Sequence, residues 1–261
     1  LEAVGRIASI TSTDPLELVA LRSMRLHFEE GVRNLRGKSP AAHLWIGLRL
    51  SQHLRRTGLY SEAEEICRTV CAMLLDGEWL GYFLNELGLT LHRQGRFEDA
   101  VGQYSRSLSI LEPALGLEHE ETATTIVAIG QALHSQHRYR EALDFYRRGL
   151  LIYERRTGKD STSTAGTLYR IAQVLEKLGE TPEALDLMQR AFQIEKGVLG
   201  EGHMNTAMTS FEIGRMLLLR YDATGESRMS EALRVLSEQL GDSHPTTQQF
   251  RVRFEELIRS M

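Results

Sequence analysis

A short motif returns along this chain every 42 residues, and that interval limits the fold more than any other property of the sequence. Arg96-Phe97-Glu98-Asp99-Ala100 comes back as Arg138-Tyr139-Arg140-Glu141-Ala142, and in altered form as Glu180-Thr181-Pro182-Glu183-Ala184. A small residue inside an apolar run keeps the same interval at Gly88, Gly130, Ala172 and Gly214. A fixed period of this size marks a stacked array of one supersecondary unit, because a single unit cannot bury its own apolar face. Arrays of this kind offer extended surfaces and seldom enclose a catalytic cavity.

Within one period the apolar residues recur at intervals of three and four. Leu84, Leu87, Gly88 and Leu91 are followed by Phe97, Ala100, Val101, Tyr104 and Leu108, which is two helices with a turn between them. Gly58, Gly95 and Gly179 fall at the helix ends where a left-handed residue is needed, and His137 takes that place in one unit. Gly88 and Gly130, with Ala63, Ala100, Ala142 and Ala184 on the facing helices, are expected to let paired helices approach closely.

The copies are uneven. An early unit with Gly58 and Ala63 lies 37 residues before the next. The last full unit has Gly214 but delays its alanine to Ala232, so Tyr221 to Met229, including Gly225, is expected to form a longer loop. Residues 245–259 read as a closing amphipathic helix with Phe250, Phe254, Leu257 and Ile258 on its apolar side. Pro15, Pro40 and Pro245 suit first helical positions, with Asp14 and Ser39 as N-caps for the first two. The expected layout is a lead-in over residues 1–40 holding one helix from about Pro15 to Leu35, an array over 41–240 and a capping helix over 241–261. The chain begins with Leu and is read as a piece of a longer protein.

Net charge is −4, from 31 basic and 35 acidic residues. That gives no global electrostatic case for nucleic acid or an anionic membrane. Cys67 and Cys71 lie four apart on one helix face and read as small apolar residues without a disulfide framework. No apolar stretch reaches the roughly 18 residues of a membrane span. A cytoplasmic setting is expected.

Candidate chemistry is thin. His119, His203 and His244 each precede a helix start about one repeat apart, so they cannot meet at one metal and read as capping groups. Gly158-Lys159-Asp160 lacks the leading Gly and the trailing Ser or Thr of a phosphate loop. Helices of an array hold Ser, His, Cys and Asp too far apart for a nucleophilic set. The reading is therefore not an enzyme, with no catalytic residue, no metal and no cofactor.

Three copies of a linker motif carry a family resemblance. Leu115-Gly116-Leu117-Glu118-His119-Glu120-Glu121-Thr122 returns as Leu199-Gly200-Glu201-Gly202-His203-Met204-Asn205-Thr206 and as Leu240-Gly241-Asp242-Ser243-His244-Pro245-Thr246-Thr247. A degenerate copy over 157–164 has Ser161 in the His place. With the 42-residue units, this resembles the tetratricopeptide repeats of kinesin light chains and of many bacterial multidomain proteins, over about residues 41 to 261. The resemblance implies an all-α right-handed superhelical solenoid of antiparallel helix pairs with about ten or eleven helices. It also implies a concave groove lined by the first helix of each pair. Kinesin light chains carry paired Asn on that helix, and only Asn85-Glu86 is similar, so neither their cargo nor a motor partner is carried over.

Registered on the small residue, the expected groove positions are Arg49 and Gln52 in the early unit, with Trp45 either there or between helices. Tyr82, Asn85, His92 and Arg93 follow, then Gln131, then Tyr169, Arg170 and Gln173, then Phe211 and Arg215. Arg, Asn and Gln suit carboxylates and peptide amides, and aromatic residues suit anchoring. The expected function is protein–protein interaction, with a peptide segment or partner helix of some acidic character held in the groove. Tyr82, Tyr169 and Phe211 would anchor it. Charge reversal at Arg170 with Arg215 should weaken it. The alternative is a regulatory, trigger-sensing region of a larger signalling or defence protein, with an effector domain elsewhere in that chain as its partner. Self-association through an end repeat stays open.

Overall fold

A computed structural model describes residues 41–260. The described residues form eleven α-helices and no strand. They are α1 (Ala41–Arg56), α2 (Tyr60–Met73), α3 (Glu78–Arg93), α4 (Phe97–Leu115), α5 (Glu120–Ser135), α6 (Tyr139–Arg156), α7 (Thr162–Leu178), α8 (Thr181–Leu199), α9 (Met204–Leu218), α10 (Thr224–Leu240) and α11 (Pro245–Ser260). The helix expected at Pro15 to Leu35, its cap Asp14, and Ser39 before Pro40 lie outside the described residues. The chain divides into two compact units, residues 1–137 and 138–261. In the described part the first holds α1 to α5 and the second α6 to α11.

In the first unit, a Cβ on Gly81 would fall 2.6 Å from Leu111, and one on Gly88 would fall 2.5 Å from the Tyr104 ring. As the number rises along α3 it falls along α4, so the pair is antiparallel. Close approach is a requirement of these glycines, since the atoms facing them belong to fully buried Leu111 and Tyr104. Ser107 fixes the same seam by donating its hydroxyl to the Gly81 carbonyl at 2.7 Å.

The turns inside pairs end in the left-handed region, with φ of 84° at Gly58, 79° at Gly95, 85° at Gly179 and 61° at His137. Backbone bonds close each one: Gly95 N–H donates to His92 and Arg96 N–H to Leu91, at 3.0 and 2.9 Å. That is the arrangement that satisfies the last carbonyls of a helix. Arg96 then donates to Asp99 and Arg138 to Glu141, each at 2.7 Å. These contacts account for the Arg and the acid of the recurring motif.

The linker motif is also mechanical. Gly116, Gly200 and Gly241 have φ between 89° and 98°, in a region closed to residues with a Cβ. Three residues on, the Nδ1 of His119, His203 and His244 accepts the N–H of Glu121, Asn205 and Thr246 at 3.2, 3.1 and 3.2 Å. Ser161 serves the degenerate copy, its hydroxyl accepting from Thr164 N–H at 3.1 Å. Six residues after the glycine, the hydroxyls of Thr122 and Thr164 donate back to the carbonyls of Gly116 and Gly158, both at 2.9 Å.

The expected loop from Tyr221 to Met229 is a correction. α10 starts at Thr224, and Gly225 is buried inside it. A Cβ on Gly225 would fall 2.4 Å from the Gly214 carbonyl oxygen, and one on Gly214 would fall 2.8 Å from the Gly225 oxygen. Gly225 thus holds the place of Ala100, Ala142 and Ala184, with the turn one residue shorter. Ala232 is not a delayed alanine. It matches Ser107, Gly149 and Ala191, seven residues further along. Tyr221 matches His137 and shares its φ of 61°.

α11 closes the second unit's core. Phe250 stands edge-on to Phe211 with centroids 4.8 Å apart, and Phe254 and Leu257 pack on the same cluster. Ile258 is instead exposed. Cys67 is buried and Cys71 partly so. Burial pushes the Cys67 thiol well up and the Cys71 thiol to about 11.

Candidate protein-interaction faces

First helices of successive pairs lie side by side within each unit. In the first unit α1 meets α3 through Arg55, whose Nε donates to Glu86 Oε1 at 2.5 Å. α3 meets α5 where His92 Nε2 and Ser135 Oγ are 3.1 Å apart. Glu86 is 2 % exposed, and burial raises its carboxyl pKa against the opposing pull of Arg55. Burial likewise lowers the His92 ring's pKa, and His92 also packs against the Phe97 ring.

Around that seam the first unit presents polar and aromatic surface. Arg49 is exposed, lies over the Trp45 ring at 5.3 Å and donates to Gln52 at 3.3 Å. Trp45 keeps 39 % of its surface open, which resolves its two expected places in favour of the surface. Tyr82 is partly exposed, edge-on to Trp79. Burial, then Glu78 and Glu121, raise its hydroxyl. Arg93 is exposed and Gln131 half-buried. Asn85 is 9 % exposed, and its Oδ1 is buried with no hydrogen-bond partner in the protein. An orphan buried acceptor costs stability of order 1–3 kcal/mol unless something supplies a donor.

The second unit differs. Glu212 sits two residues before Gly214 as Glu86 does before Gly88, and it holds two arginines. Arg215 Nε donates to its Oε2 at 2.8 Å and Arg253 Nη1 approaches its Oε1 at 2.7 Å. Arg215 also reaches Glu176 on α7 at 2.6 Å. Burial alone would raise the Glu212 carboxyl, but the bonds and charges of Arg253 and Arg215 outweigh it and hold the group below its ordinary value.

Arg215, expected as a partner contact, therefore ties α7 to α9. Phe211, expected as an anchor, is corrected too. It is fully buried, packed between α9 and α11 with Arg253 over its ring at 5.6 Å. Tyr169 packs on the cluster of Ala165, Leu168, Ala191 and Ile194. Its hydroxyl accepts from Gln173 at 3.1 Å and is raised by burial, then by Glu212. Arg170 donates to the carbonyl of Gly166 in its own helix at 2.7 Å and stays half-exposed.

Arg55, Glu86 and Glu212 share the first-helix register of the expected groove positions, but their pairing across helices, and the parts taken by Glu176 and Arg253, were not expected. Their sequence signal is opposite charge at separations near one period: 31 for Arg55 and Glu86, 39 for Glu176 and Arg215, 41 for Glu212 and Arg253. Among the described residues no three His, Cys, Asp or Glu group as metal ligands. No described helix is long and apolar enough to cross a membrane.

The tetratricopeptide repeat family model matches residues 80–155 and 163–223. No curated protein sequence matches the chain. Among solved structures, BtubC (BKLC) from P. vanneervenii is similar at 19% identity and a TM-score of 0.72, covering 87% of this chain and 94% of its own. A putative kinesin light chain from Podosopora anserina with nearly identical repeats gives 17% identity and a TM-score of 0.64, over 77% and 98%. MamA from Desulfovibrio magneticus RS-1 gives 14% and 0.55, over 76% and 97%. At these identities the likeness is one of fold. The family model spans more than half of the chain, and the chain belongs to the tetratricopeptide repeat family, with repeats of the kinesin-light-chain-like type.

Proposed function

We propose that this protein-interaction repeat module takes an extended peptide of acidic and apolar character on the first-helix face of its first unit, formed by α1, α3 and α5. One observation carries the reading: that face keeps Arg49, Trp45, Tyr82 and Arg93 open to solvent, while the cation Arg215 of the second unit is already engaged by carboxylates. Exposed cations on one face of a chain with net charge −4 favour acidic ligands there through local complementarity. Arg49 stacked on Trp45 is preset for a carboxylate.

A displayed library of random twelve-residue peptides tests this. The expected result is enrichment of sequences with Asp or Glu near an aromatic or aliphatic residue, and loss of their binding to R49E/R93E. Enrichment without acidic residues, or equal binding to the variant, would overturn it. Circular dichroism of the variant should be unchanged, since both arginines are exposed.

A further inference from the structure

Glu195 occupies a core position. The same place in the other pairs is held by Leu111, Tyr153 and Leu236, which are 0 %, 6 % and 0 % exposed. Glu195 is itself 6 % exposed. Thr209 bonds its carboxylate, yet Oε2 is buried without a partner. Across the seam the Thr206 hydroxyl is also buried without a partner, although its counterparts Thr122 and Thr164 each donate to a linker carbonyl. So the pattern is broken at one position on α8 and one on α9, and the α8 position is ionisable.

We propose that Glu195 makes the α8–α9 seam a pH-sensitive joint, tight when the carboxyl is protonated and loosened when it is ionised. A lone carboxylate in a site built for Leu or Tyr is disfavoured by lost solvation. Burial raises the Glu195 carboxyl accordingly. The other titratable groups facing it are His203, in the turn before α9, and Tyr169 on α7. His203 Nδ1 accepts the Asn205 N–H at 3.1 Å. Lys196, the next residue on α8, is exposed and turned to Glu201. Tyr169 belongs to the first-helix face, so the joint lies directly beneath that face.

The sign follows from a folded-state pKa above the unfolded one. The protonated carboxyl adds stability below the unfolded value, and this is lost as pH rises through the folded value. The test compares melting temperatures of the wild type, E195Q and E195L between pH 4 and 8. Gln mimics the protonated acid, so the wild type and E195Q should melt together near pH 4. The wild type should then fall behind by about 3 °C or more by pH 8, since each tenfold change in the folding constant moves a chain of this size by a few degrees. E195L should show the same widening gap from the wild type, which keeps the test intact if Gln folds poorly. A gap constant with pH, or a wild type that gains on E195Q as pH rises, would overturn the proposal.

Discussion

His119, His203 and His244 show how a residue type that invites a catalytic reading can be fixed by one backbone bond. Each accepts an N–H of the first turn through Nδ1, a group that otherwise has no partner. His119→Ala should cost about 1 kcal/mol in urea unfolding, while His119→Asp should retain most of the stability. Equal losses for both would show that the ring acts by packing. Tyr221 gives the opposite case. It is 93 % exposed and held at a φ of 61°, which costs a side chain about 1 kcal/mol. Tyr221→Gly should therefore raise the urea midpoint or leave it level. A clear loss would mean the ring has a role that the backbone does not show. The capping role was legible in sequence because the motif repeats. The burial of Phe211 was not, because register alone does not tell whether a neighbouring helix covers the position, and Phe250 does.

At the scale of elements, small residues set the helix spacing, and glycine substitutions separate two effects of opposite sign. Gly102, in α4, has nothing near a would-be Cβ, so Gly102→Ala should stabilise by about 0.5–1 kcal/mol through helix propensity. A Cβ on Gly225 would fall 2.4 Å from the Gly214 carbonyl oxygen. There Ala must push α9 and α10 apart, and the loss should exceed about 2 kcal/mol, as overpacking does. Thermal melts of the two variants check this, and a stabilising Gly225→Ala would mean the seam is looser than described. The helix pairs were readable from their period, since Gly88, Gly130, Ala172 and Gly214 keep it without error. The last pair was misread because its turn is one residue shorter, which moved the facing small residue from the expected alanine to Gly225.

At the scale of the whole molecule, charge works differently in the two units. Glu212 is held low by Arg253 and Arg215, so its contribution is full above its unfolded pKa and is lost as pH falls through the folded value. Glu212→Gln should destabilise at pH 7 by about 2–3 kcal/mol, because two arginines lose a buried partner. That gap should narrow on acidification, opposite to the gap at Glu195, and urea unfolding at pH 7 and pH 4 reads both. Reversing Arg215 would set a third carboxylate beside Glu176 and Glu212, so a loss of binding there would report damage to the fold. Arg49 and Arg93, exposed on the first unit, are the residues whose reversal reports binding.

Sequence register placed residues on the first helices but could not tell cations left open from cations spent between helices, because pairing depends on which first helices become neighbours. The most direct test is amide hydrogen exchange with and without a peptide selected by display. Slowed exchange confined to α1, α3 and α5 is the predicted result. Slowed exchange on α2 and α4 instead would place the partner on the second helices and contradict the account.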